Sequence, residues 1–128
     1  MNQVHAANEV MDRIRRRGDP FDERAFLFVL AAVQYLQDRL PMRRHVTGAE
    51  LAWACRDFAL EQFGLLAPEV LAYWGVHRSG DFGRIVFALV DIGLLITQPG
   101  DRAEDFDDVF QFGDAFDAAY VWHGVPSA

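Results

Sequence analysis

The stretch DFGRIVFALVDIGLLITQ, residues 81–98, decides how the rest of the chain is arranged. Read as a helix over 82–92, it sets Phe82, Ile85, Val86, Leu89 and Ile92 around most of the circumference and leaves Arg84, Ala88 and Asp91 on one narrow, less apolar side. A helix of that kind lies inside a domain. It then runs into Gly93 and the β-prone Leu94, Leu95, Ile96 and Thr97, which Pro99 and Gly100 stop, giving helix, tight exit, strand and turn.

Downstream, the acidic loop DRAEDFDD leads to Val109, Phe110, Gln111 and Phe112, which alternate enough to return as a strand antiparallel to 94–98. The wide turn of this hairpin holds Asp101, Glu104, Asp105, Asp107 and Asp108. Asp114 then caps a last helix over 115–122. Upstream, Ser79 or Asp81 caps the central helix. Before it, Gly64 ends one helix, Pro68 occupies the first turn of the next, and Gly75 closes the segment PEVLAYW.

Two earlier helices complete the core. From Asp22, a good N-cap, Phe26, Val29, Leu30, Val33, Leu36 and Leu40 recur at three and four residues up to Pro41. Thr47 followed by Glu50 is a capping box, and it opens a helix to about residue 63 with Leu51, Ala52, Ala54, Cys55, Phe58, Ala59, Gln62 and Phe63 on one arc. Trp53, Arg56 and Leu60 fall on the other side, a stripe that either a second layer of this chain or a partner must cover. Residues 1–20 form an arm or short helix ending in Arg15, Arg16 and Arg17, residues 21–123 one globular domain, and residues 124–128 a flexible tail. A capped helix, a later apolar helix, then strand, loop and strand is the element order of a winged helix. The expected fold is therefore mainly α with a small antiparallel β-hairpin, winged-helix-like.

A chain of 128 residues, 52% hydrophobic, fills one domain with a single core. Its net charge is −7, and all 12 cations are Arg. From Pro99 onward seven acids face Arg102 alone, a net of −6, so the first 98 residues are nearly balanced at −1. That distribution opposes nonspecific nucleic-acid binding, which rests on clustered cations neutralising phosphates. A single cysteine forms no internal disulfide, there is no secretory h-region, and no apolar run nears the roughly 20 residues of a membrane span. A cytoplasmic protein with no membrane association is expected.

The runs RHVTGAEL, RDFALEQFG, VLAYWG, DFGRIVFALVDIGLL and EDFDDVFQFGDAF resemble a small uncharacterised bacterial protein family found mainly in Planctomycetes and Verrucomicrobia, over residues 21–116. The resemblance implies one cytosolic domain and brings no activity, cofactor or catalytic residue. Ala88 departs from the polar amide expected of that family.

Chemistry-bearing residues are sparse. Cys55 lies on an apolar arc, where a thiol is inert. Ser79 and His77 lack the third group of a triad. His5, His45, His77 and His123 show no paired spacing, so no metal or other cofactor is expected. The acidic loop lacks the alternating ligands and central Gly of a calcium loop. Arg43, Arg44 and His45, beside the Thr47 cap, could hold a carboxylate or phosphate, or else pair with an acid of the fold such as Asp57, Asp81 or Asp91. The reading these residues favour is a non-enzymatic module for protein interaction or self-association, working through Arg43 to His45, the Trp53, Arg56 and Leu60 stripe, or the acidic loop. The alternative is a DNA-binding regulator, although the central helix offers base edges only Arg84 and Asp91. An enzyme with a site assembled from dispersed residues is the least favoured reading.

Overall fold

Side-chain caps fix where the core helices begin. In the computed structural model, which describes residues 2–117, α1 (Asn2–Arg17), α2 (Glu23–Arg39) and α3 (Gly48–Phe63) precede a 3-10 turn (Gly64–Leu66), α4 (Ala67–Tyr73) and α5 (Ser79–Asp91). A second 3-10 turn (Ala103–Phe106) and the one-turn α6 (Phe112–Ala115) follow. The Asp22 carboxylate accepts the Arg24 amide at 2.8 Å at the start of α2. At α3 the capping box is complete: Thr47 Oγ1 accepts the Glu50 amide at 3.1 Å, and Glu50 Oε1 accepts the Thr47 amide at 2.9 Å.

Phe28 of α2 marks the point where four helices meet. Its ring lies 5.2 Å from Phe58 and 6.1 Å from Phe63 of α3, 5.7 Å from Trp74 at the end of α4, and 6.5 Å from Phe82 of α5. Burying one such side chain contributes about 1.5–3 kcal/mol, and aromatic pairs at these separations add to that. Arg39 ties α2 to α3 at their far ends, stacking 3.7 Å over Tyr35 and reaching Glu61 at 3.4 Å. The N-terminal stretch is a 16-residue helix rather than a loose arm. Ile14 enters the core, Arg17 pairs with Asp91 at 2.9 Å, and Arg13 donates to the Ile92 carbonyl at 3.3 Å, so α1 lies across the end of α5.

The central helix begins a turn earlier than its apolar run. Arg78 is the N-cap residue and makes no side-chain cap bond. Asp81 accepts the His77 amide at 2.8 Å, a backward-reaching cap from the third helical position. Ser79, Asp81, Phe82, Ile85, Val86, Ala88 and Leu89 are all buried, which places Ala88 in the core. The exit is a complete Schellman motif: Leu94 N–H donates to Leu89 O at 2.9 Å, Gly93 N–H donates to Val90 O at 3.0 Å, and Gly93 has φ +83°.

The β-hairpin and the winged-helix-like arrangement are wrong. No strand occurs among the described residues, and neither 94–98 nor 109–112 pairs with the other. The cause lies between them. Gln98 and Asp101 close a turn, with the Gln98 amide donating to Asp101 Oδ2 at 2.8 Å and the Asp101 amide donating to Gln98 O at 3.0 Å. The chain then enters the 3-10 turn and docks on the helices instead of running back along 94–98. It docks where three glycines leave room: a Cβ on Gly48 would sit 2.8 Å from Asp105 Cβ, one on Gly80 2.5 Å from Asp107 Oδ1, and one on Gly83 2.8 Å from both the Ala103 carbonyl and the Phe106 ring. Phe106 fills this slot between α3 and α5 with 3% of its surface exposed. Ser79 fastens it, donating from Oγ to the Phe106 carbonyl at 2.6 Å and accepting the Val109 amide at 3.1 Å.

Beyond the slot, Phe110, Phe112 and Phe116 turn onto α3 and α5 as one aromatic cluster with centroids 5.0–6.4 Å apart. Phe110 reaches Trp53 at 4.7 Å, and Phe112 reaches Phe82 at 6.1 Å. The last described helix starts at Phe112 with Gln111 as its N-cap, ahead of Asp114. The expected continuation over 118–122 and the tail over 124–128 lie outside the described residues. Among the described residues no helix is long and apolar enough to cross a membrane.

Candidate functional site

The docked turn forms one wall of a cleft of about 320 Å³. Val33 and Gln37 of α2, the 44–48 lead-in, Leu51 of α3, Val86 and Phe87 of α5, and residues 95–98 and 101–106 enclose it. The floor is apolar, built by Val33, Val46, Leu51, Val86, Phe87 and Leu95. The rim is polar and charged, with Arg44, His45, Asp101, Arg102 and Asp105. Ile96 stands on that rim with 91% of its surface exposed.

Folding brings together two groups that lie 56 residues apart. His45 Nε2 lies 3.1 and 3.2 Å from the two Asp101 carboxylate oxygens, across the cleft mouth. Arg44 makes a bidentate pair with Glu50, at 2.7 and 3.2 Å, and also donates to the His45 carbonyl at 2.9 Å. Gln37 holds the lead-in from α2: its amide nitrogen donates to Arg44 O at 2.7 Å and its oxygen accepts the Arg44 amide at 3.2 Å. Expected partners Asp57, Asp81 and Asp91 are not used. Glu50 and Asp101 supply the carboxylates for Arg44 and His45. Arg43 is exposed and forms no ion pair among the described residues.

These contacts set the acidity of the carboxylates. The Arg44 guanidinium, helped by the Thr47 amide, brings Glu50 down to about 2 against the opposing effect of partial burial. The Gln98 amide, and then His45, hold Asp101 below its ordinary range. Both acids are therefore ionised caps at neutral pH.

The acidic segment is a docked wall rather than a free solvated turn. Asp101 and Asp105 are half-buried, and Asp105 Oδ2 accepts the Arg102 amide at 3.0 Å. Glu104, Asp107 and Asp108 are exposed, Asp108 with a left-handed φ of 53° that Asp tolerates better than most residues. Arg102 extends into solvent with its side chain 69% exposed, and its nearest acid is Asp105 at 3.8 Å.

The Trp53, Arg56 and Leu60 stripe lies away from the cleft, with Trp53 and Arg56 against the C-terminal segment. Arg56, expected to point away from the core, has no exposed surface. It lies 2.8 Å from Asp57, donates to the Ala115 carbonyl at 3.2 Å and sits 5.1 Å from the Trp53 ring. Trp53 and Leu60 are half-buried, and Gln62, expected inside the apolar arc, is exposed. Cys55 is fully buried, and burial pushes its thiol far up in pKa, so it has no nucleophilic form at neutral pH. Ser79 is engaged on both sides of its hydroxyl by the docked turn. Among the described residues no group of three or more His, Cys, Asp or Glu is placed to hold a metal ion.

Sequence reasoning finds Arg44, His45, Asp101 and Asp105 of this site, though as two separate features. It misses the floor. Val33, Val86 and Phe87 carry no signal beyond core periodicity, and Ile96 reads as a strand residue. Only the placement of 95–106 against α3 and α5 turns them into one surface. No family model, no curated protein and no solved structure matches the chain.

Proposed function

We propose that the chain is a non-enzymatic protein-interaction module whose cleft between α2, α3, α5 and the docked turn receives an apolar segment of a partner. The observation that carries this reading is the pairing of an open apolar floor with an exposed Ile96 on its rim. Single exposed apolar side chains are ordinary, but Ile96 extends the open apolar floor into one accessible apolar surface, and that combination supports an interaction site. The titratable groups nearby act as caps and ties. Nothing among them has the base, nucleophile and orienting group of a catalytic site.

The DNA-binding alternative requires a helix that presents several polar side chains to base edges. On α5 only Arg84 and Asp91 are exposed polar residues, and Asp91 is already paired with Arg17 at 2.9 Å. No observation favours that alternative.

Ile96→Asp tests the proposal. A change at so exposed a position alters stability by less than about 0.5 kcal/mol. Proteins cross-linked to the wild type in its native cell should be lost from Ile96→Asp. They should persist with Met42→Asp, a control at a residue 74% exposed that does not line the cleft. Capture unaffected by Ile96→Asp would sink the reading, and light scattering on both variants identifies the case in which the partner is a second copy.

A further inference from the structure

Resting on that reading, we infer that the partner segment carries an acidic side chain directly beside its apolar anchor, and that Arg102 selects it. The protein as a whole is acidic, at −7, yet the hydrogen-bonding capacity at the cleft mouth has the opposite bias. Its two lining carboxylates each already hold a backbone amide. Asp101 accepts the Gln98 amide and holds His45, and Asp105 accepts the Arg102 amide. The donors are in surplus. The Arg102 guanidinium makes no hydrogen bond among the described residues, and its closest acid is 3.8 Å away, beyond hydrogen-bonding distance. Arg43, one residue before the lead-in and outside the cleft lining, is a second exposed cation. An arriving carboxylate meets planar donors able to receive it bidentately. An arriving ammonium would meet Asp101 already holding the Gln98 amide and His45, an Asp105 with only Oδ1 open, and exposed guanidiniums that repel it. The apolar floor immediately below fixes the order of the two features: anchor in the cleft, acid at the lip.

A display library of random dodecapeptides, panned on the full chain, tests this. Enriched peptides should place Asp or Glu within two positions of a Leu, Ile, Met or Phe well above library frequency. A synthetic peptide from that set should lose about fivefold in affinity when its acid is replaced by Lys, the scale of an exposed ion pair. Arg102→Gln should erase that difference while leaving the affinity for a third peptide, with Gln in place of the acid, unchanged, and added salt should narrow the wild-type difference. Enriched peptides without an acidic bias, or a Glu-to-Lys difference that survives Arg102→Gln, would overturn the charge inference while leaving the cleft as a binding site, provided Ile96→Asp still abolishes binding. Peptides that bind Ile96→Asp as well as wild type, or a library that yields no enrichment, would overturn the interaction reading together with the inference. Circular dichroism on Arg102→Gln, a change at an exposed side chain, separates loss of binding from loss of fold.

Discussion

Arg56 carries the largest single-residue consequence. A guanidinium with no exposed surface, 2.8 Å from Asp57 and bonded to the Ala115 carbonyl, costs much to desolvate and cannot be removed without leaving Asp57 beside a vacated cation site. Arg56→Met keeps most of the volume and deletes the charge, and it should lower stability by about 3 kcal/mol or more. Urea unfolding followed by Trp fluorescence measures it, and a loss below about 0.5 kcal/mol would mean that water reaches the pair in solution. No pattern on α3 betrays this residue. A charged side chain at a position facing away from the apolar arc reads as solvated, and the segment that buries it begins more than fifty residues later. Cys55 shows the opposite case: flanked by alanines on the arc, it is legible as a core thiol from sequence alone.

At the level of elements, the helices were legible because their ends carry side-chain chemistry. Asp22, the Thr47 and Glu50 pair, Pro68 and Gly93 each fix a boundary by satisfying or sparing a backbone group near the residue itself. The false hairpin came from equally local signals. β-prone residues on both sides of a turn predict pairing only if nothing else captures the intervening loop, and here a slot built from two helices captures it. Gly83 measures the strength of that capture. Replacing it by Ala gains about 1 kcal/mol of helix propensity. The new Cβ, however, sits 2.8 Å from a backbone carbonyl and from the Phe106 ring, and overpacking of that kind costs about 1–3 kcal/mol. A carbonyl cannot swing aside as a flexible side chain does, so the clash should win. Gly83→Ala should lose stability and speed amide exchange at Val109, whose N–H bonds Ser79 only while the turn is docked. A stabilised Gly83→Ala with unchanged exchange would show that the turn yields freely.

For the molecule as a whole, acid is the informative stress. Glu50 and Asp22 are both brought down to about 2 from ordinary values of 4.5 and 3.8, Glu50 chiefly by Arg44 and Asp22 chiefly by Arg24. A carboxylate whose folded pKa lies below its unfolded one stabilises the fold above the unfolded value, and that stability drains away as pH falls toward the folded value. The loss should therefore run from about pH 4.5 down to about 2, deepened by the mutual repulsion of 12 Arg residues as their partner acids are neutralised. Melting temperatures measured across that window should fall steadily. Glu50→Gln should start lower at neutral pH and show a shallower fall, and a parallel curve would mean that Glu50 is not held by Arg44 in solution. The candidate site is legible only in fragments at this scale. Sequence exposes its charged rim, whereas the apolar floor exists only once four separated segments converge.

The slot that receives Phe106 also ties together the histories of three positions. Gly48, Gly80 and Gly83 lie on two helices, yet a single short turn occupies the space each leaves open. Once one of them gains a side chain and the turn is displaced, the others no longer have anything to accommodate, so the cost of a second substitution shrinks. The three glycines thus behave as one heritable character, kept together or relinquished together, and the cleft wall that stands on them shares their fate.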